Sequence, residues 1–152
     1  MLKPLAILTF LLASPQGFAQ IDVTIPKEHC LKAVDIVANK DLTLMKQIYM
    51  PIEASDAQYR AFIQEIHDWA FVKDYSGINE FTTKGVKIFE HAKTSDNDYI
   101  RGSAQRWGHD TEVWVYYSFH STNRTTNAPA TKGGFCQFAL LNDTWYMINL
   151  LK

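Results

Sequence analysis

From residue 112 onward the chain alternates. Val113, Val115, Tyr117 and Phe119 fall on one side and Trp114, Tyr116, Ser118 and His120 on the other, the two-residue period of a strand with two usable faces. Two further runs, 134–141 and 144–151, flank Asn142-Asp143. Those residue types tolerate positive φ in a tight hairpin, so 138–141 and 145–148 are predicted to pair directly. Upstream the period lengthens to that of a helix. Residues 26–39 place Cys30, Leu31, Val34, Val37 and Ala38 on one stripe, with Pro26 in the first turn, where a missing N–H costs nothing. Asp41 is an N-cap candidate for a short helix whose buried edge is Leu44, Met45, Ile48 and Tyr49, and Pro51 ends it. Ser55-Asp56-Ala57-Gln58 forms a capping box, and Tyr59, Phe62, Ile63, Ile66, Trp69 and Ala70 then hold a 3.6-residue period. After Tyr75-Ser76-Gly77 the segments 85–93 and 99–107 read as two more strands, the second less regular, ending at the turn Gly108-His109-Asp110. The expected class is α+β: an N-terminal helical layer packed on a curved, mostly antiparallel sheet of about five strands.

Between the strands at 112–120 and 134–141 lies the polar stretch STNRTTNAPATKGG, residues 121–134. It is too long for an ordinary hairpin turn and reads as either a mobile surface loop or a contact loop. The sheet also carries aromatic and apolar residues on both faces, among them Trp114, Tyr116, Phe138, Leu140, Tyr146 and Ile148. Antiparallel sheets normally keep one face polar. Either sheet curvature covers both faces internally, or something packs on the second: the extended segment 21–25, a homodimer mate or a protein partner.

The first residues do not belong to this pattern. Lys3, the apolar run 5–12 and the breakers Pro15 and Gly17 precede Gly17-Phe18-Ala19, whose small residues suit a cleavage site. Residues 1–19 are read as a secretory signal peptide and 20–152 as one α+β domain, periplasmic or secreted after cleavage near Ala19. No Cys follows the apolar run, so no lipid anchor and no membrane anchor are expected. A formal net charge of −1 with interspersed signs gives no footprint for nucleic acid. Export also gives meaning to the two cysteines: in an oxidising compartment Cys30 and Cys136 are expected to form a disulfide tying the first helix to the sheet. A nucleophilic cysteine is the weaker reading, since no local motif supports it.

Candidate chemistry is sparse. Arg60, Gln64, Glu65, His67 and Asp68 fall largely off the apolar stripe of the third helix, and Glu65, His67 and Asp68 lack the i, i+4 spacing of a helical zinc site. No metal and no cofactor are expected. His120 shares a strand side with Trp114 and Tyr116 and either enters a pocket with Tyr146 or sits at an edge, while His109-Asp110 is read as a solvated turn. No phosphate loop, nucleophile elbow or Ser/His/Asp order is present.

The helical layer with Lys40-Asp41-Leu42 and a proline-terminated turn, followed by a meander ending in Leu141-Asn142-Asp143-Thr144-Trp145-Tyr146-Met147-Ile148, resembles the nuclear-transport-factor-2-like superfamily. Tyr75-Ser76-Gly77-Ile78 is similar to the entry to the sheet in some of its bacterial members. The resemblance implies a cone-shaped α+β fold, and small exported members include immunity proteins. The expected function is therefore a non-enzymatic exported binding protein, its sharpest form an immunity or inhibitor protein that occludes a toxin or hydrolase. The expected contact residues are Trp114, Tyr116, His120, Asn123, Arg124, Asn127, Lys132 and Tyr146. The alternative is a small-molecule binder or isomerase-like protein using the space between helices and sheet, which needs a charged residue pointing inward. The alternation singles out none.

Overall fold

A computed structural model describes residues 21–151, so the predicted leader and its cleavage site lie outside the described residues. Helix α1 spans Thr24–Asn39 and stops where Lys40 turns left-handed, its N–H returning to the Ile36 carbonyl. Helix α2, Leu42–Ile48, is capped by the Asp41 carboxylate, which accepts from the Leu44 N–H at 2.9 Å. Helix α3, Asp56–His67, opens on the complete capping box of Ser55 and Gln58. It then widens into a π-helical stretch, Asp68–Lys73, so Trp69 and Ala70 leave the α-helical period expected for them.

Strands β1 (Asn79–Phe89), β2 (Thr111–Asn123), β3 (Ala128–Leu141) and β4 (Thr144–Met147) form one antiparallel sheet in chain order. Asn142 and Asp143 take φ of 49° and 59°, the left-handed pair that a two-residue hairpin needs. The fold is α+β with a helical layer on an antiparallel sheet, as the periodicities predict.

Three expectations are corrected. The segment 99–107 is a helix, α4 (Asp98–Trp107), which leaves four strands rather than five. The Asn97 carboxamide accepts from the N–H groups of Tyr99 and Ile100, Ile100 and Ala104 bury one face four residues apart, and Gly108 closes the helix left-handed. The segment 121–134 is not a loop. β2 and β3 stay in register from Thr111 opposite Leu140 to Asn123 opposite Ala128, leaving only a tight turn between them. Asn123 builds that turn by accepting from the N–H groups of Thr125 and Thr126, and Asn127 completes it at φ 51°. Finally, β4 ends at Met147 rather than at 151, and Leu150 and Leu151 fold back into the core.

Val113, Val115, Tyr117, Phe119, Cys136 and Phe138 meet Ile36, Val37, Met45, Ile63 and Ile66 between sheet and helices. These side chains fill the interlayer, and the Cys30–Cys136 disulfide crosses it. On the other face, α4 and a short 3-10 turn, Ala92–Thr94, cover only one end of the sheet, where Ala92, Ile100 and Ala104 pack with Phe89 and Trp114. One sheet edge is occupied: the Met50 N–H donates to the Met147 carbonyl at 2.8 Å beside β4. The other, β1, is interrupted by two irregularities in register and by Glu80 at φ 51°, and carries Lys84 and Lys87, features that discourage strand addition.

Gly134 is fixed by packing. A Cβ there would lie 2.5 Å from the Tyr117 hydroxyl oxygen and 2.8 Å from the adjoining ring carbon. Tyr117 is 4% exposed and stacks on Phe81, so its ring has little freedom to retreat. Gly134→Ala is expected to lower stability by about 1–3 kcal/mol through overpacking. Urea denaturation measures this, and an unchanged midpoint would contradict the close fit.

Candidate functional site

The alternation of β2 places Glu112, Trp114, Tyr116, Ser118 and His120 on the face away from the helical layer, opposite Ala139, Gln137, Phe135, Gly133 and Thr131 of β3. This face divides in two. At one end it lies under α4, and beyond Tyr116 no element packs over it among the described residues.

The covered end holds a buried charge. Glu112 is 0% exposed and both carboxylate oxygens are engaged. Oε1 accepts from Trp114 Nε1 and Gln137 Nε2, each at 2.6 Å, and Oε2 lies 2.9 Å from His109 Nε2. His109 is itself 0% exposed, which corrects its reading as a solvated turn residue. Its Nδ1 has no partner. The tautomer with hydrogen on Nε2 fits this site, because it donates to Glu112 and leaves at Nδ1 a bare lone pair rather than an orphaned N–H.

Gln137 carries the polarity outward. Its Nε2 must face the carboxylate, so its Oε1 accepts from the Tyr99 hydroxyl at 3.0 Å, while Nε2 also reaches Ser103 Oγ at 3.3 Å. Burial first, and the Glu112 charge second, raise the Tyr99 phenol above its ordinary range, against a smaller opposing effect of Arg106. An inward-pointing charge therefore exists, but on the face opposite the expected cavity and with its oxygens already bonded. Sequence reasoning passed over it. The available signal was a single acid inside the alternating run, three residues after a histidine, next to a glycine that ends a capped helix.

Tyr99, Ser103 and Gln137 line a cleft of about 410 Å³ between α4 and the end of the sheet, with Tyr49, Gly102, Arg106, Trp107 and Ile148 around it. Tyr49 donates to the Ile148 carbonyl at 3.2 Å, and burial pushes its phenol up to about 12. Gly102 stands inside α4, where glycine costs about 1 kcal/mol relative to alanine, yet a Cβ there would meet nothing within 4 Å.

The uncovered end carries an aromatic ledge. Trp114 and Phe135 stack with centroids 4.2 Å apart, and Tyr116, 36% exposed, meets Phe135 edge-on at 6.1 Å. Beyond it the surface is small and polar, with Thr82 and Ser118 hydroxyls 3.3 Å apart and His120 Nδ1 3.0 Å from Thr131 Oγ1. Of the expected contact residues, Tyr116 and His120 lie on this uncovered face, with Trp114 at its border beside α4. His120 enters no pocket with Tyr146, which packs at the far end with Met50, Ala139 and Ile148. Lys132 is on the opposite face, 5.2 Å over the Tyr75 ring. Asn123 is spent on its turn, and Arg124 donates to the carbonyls of Tyr75 and Phe71, clamping the hairpin to the segment after α3. Asn127 is exposed at the turn. These four do not form one surface with Tyr116.

Among the described residues no three His, Cys, Asp or Glu side chains form a metal-holding group, and no helix is long and apolar enough to cross a membrane. Comparison of the chain with protein-family models, with curated proteins and with solved structures returns no significant match.

Proposed function

We propose that this chain is an exported, non-enzymatic protein-binding module of the nuclear-transport-factor-2-like kind, and that it neutralises a toxin or hydrolase by lying over it with the uncovered half of its sheet. The observation that carries this reading is the Tyr116–Phe135 ledge, which continues into a polar plane with nothing packed above it among the described residues. Aromatic residues at the centre of a polar surround are the usual composition of a protein interface. Strand addition at the sheet's edge is the less suited mode, because β1 is bulged and lysine-bearing and the β4 side is occupied. Export is supported by the Cys30–Cys136 bridge, which persists in oxidising compartments. Against an isomerase-like reading stands the interlayer, where Phe119, Phe138, Met45 and Ile36 occupy the space a ligand would need.

The test uses residues 20–152 carrying a tag, immobilised against exported fractions of the source strain. One retained hydrolase or toxin, inhibited in its own assay, is the expected result. Tyr116→Asp should weaken that contact by about 30-fold or more, the loss typical of an aromatic at an interface centre. Because Tyr116 is partly exposed, the variant should melt close to the parent. A partner bound equally by both proteins would move the interface elsewhere, and concentration-dependent dimerisation abolished by Tyr116→Asp would assign the ledge to a second copy.

A further inference from the structure

The cleft beside α4 is built from a rigid floor and an open wall. Its floor is Gln137, 2% exposed and held by Glu112, Ser103 and Tyr99. This fixes what the cleft offers a visitor. Tyr99 has spent its hydrogen on Gln137 and presents a lone pair; Ser103 accepts from Gln137, and among the described residues no acceptor takes its own hydrogen, so it remains a donor. Arg106 contributes a guanidinium that no carboxylate pairs with among the described residues. Asp98, at the other end of the cleft, is already bonded to Arg101.

Trp107, Tyr49 and Ile148 supply an aromatic and apolar side. Gly102 lines the cleft where an added Cβ would meet nothing within 4 Å, which leaves the opening there. A volume of about 410 Å³ is within the range of small-molecule sites. One unpaired cation above a buried carboxylate suits a monoanion better than a doubly charged phosphate.

We propose that this cleft binds a small aromatic carboxylate, its carboxylate on Arg106 and Ser103 and its ring against Trp107 and Tyr49. The site is separate from the Tyr116 ledge, and the proposal does not depend on a protein partner. Leucine at position 102 would fill the opening without removing a hydrogen bond, and it favours helix more than glycine does.

Isothermal calorimetry on residues 20–152 tests this with N-acetyl-tryptophan, indole-3-acetate and benzoate, using N-acetyl-tryptophanamide as the uncharged control. At least one acid should bind, with the tryptophan acid about tenfold or more tighter than its amide if it is that one. Arg106→Gln should weaken the acid by about tenfold. Gly102→Leu should abolish binding while the melting temperature holds or rises, and Tyr116→Asp should leave binding unchanged. Failure of all three acids to bind, equal affinity for acid and amide, or binding that survives Gly102→Leu in a folded protein overturns the assignment.

Discussion

Glu112→Gln is expected to lower the stability of this protein by about 2–4 kcal/mol, although the change is nearly isosteric and lies on the sheet face away from the main core. In the native site three donors converge on two oxygens: Trp114 and Gln137 on Oε1, His109 on Oε2. An amide at position 112 can keep one oxygen facing Trp114 and Gln137, but its NH₂ then points at His109 Nε2. To accept that hydrogen the imidazole must move its own proton to Nδ1, which has no partner in the interior. Either arrangement leaves a buried donor unsatisfied, and the bonds that survive lose their charge assistance. Glu112→Ala, which strands all three donors, should cost more. Because Gln137 also holds Tyr99 and Ser103 of α4, the damage should be local as well as global. Hydrogen exchange should rise across 98–107 before it rises in α1, and urea denaturation gives the total. A loss below about 0.5 kcal/mol, the range of an ordinary surface substitution, would mean that the carboxylate is not the anchor of α4.

Much of the helical layer was legible because its determinants are local. Asp41, Ser55 and Gln58 each cap the turn in which they sit, and Asn142-Asp143 specifies a hairpin with two residues. The same kind of signal marked α4 and was overridden. Asn97 and Gly108 bracket a span holding Ile100 and Ala104 on one face, but only Ile100 and Ala104 within it are buried, so its apolar stripe is too thin to outweigh Tyr99, Ile100 and Trp107 read as strand residues. The polar stretch 121–134 misled for the opposite reason. A hairpin extended beyond the core needs no apolar residues, because its backbone bonds and the Arg124 clamp hold it. As for the site, Trp114, Tyr116 and His120 were readable from the two-residue period alone. Their separation from Lys132 was readable too, since opposite strands fix which residues share a face, but only once the register was known. Glu112 was not: its burial depends on a helix that the pattern did not yield.

Replacing both bridge cysteines, as Cys30→Ala with Cys136→Ala, is expected to lower stability by about 3–5 kcal/mol. The two residues stand 106 apart in sequence, and for a loop of that length the chain-entropy account gives about 4–5 kcal/mol, with some of it usually lost in practice. Both positions are 0% exposed, so the alanine pair also leaves a small void between α1 and β3 that adds to the cost. What the bridge joins decides how the loss is distributed. Elsewhere the sheet is a chain of neighbours, each strand paired with the next, whereas the bridge links the first helix to a strand near the end. Without it the unfolded chain expands, so the dependence of stability on urea should steepen as the midpoint falls. A midpoint that falls with no change in slope would instead place the effect in the native packing around position 30. With total stabilities of small proteins at about 5–15 kcal/mol, a loss of this size brings the chain close to the point where proteolysis of the unfolded form would remove it. The decisive comparison is between the alanine pair and the oxidised parent under one set of conditions. Near-equal midpoints would show that the helical layer holds the sheet by packing alone.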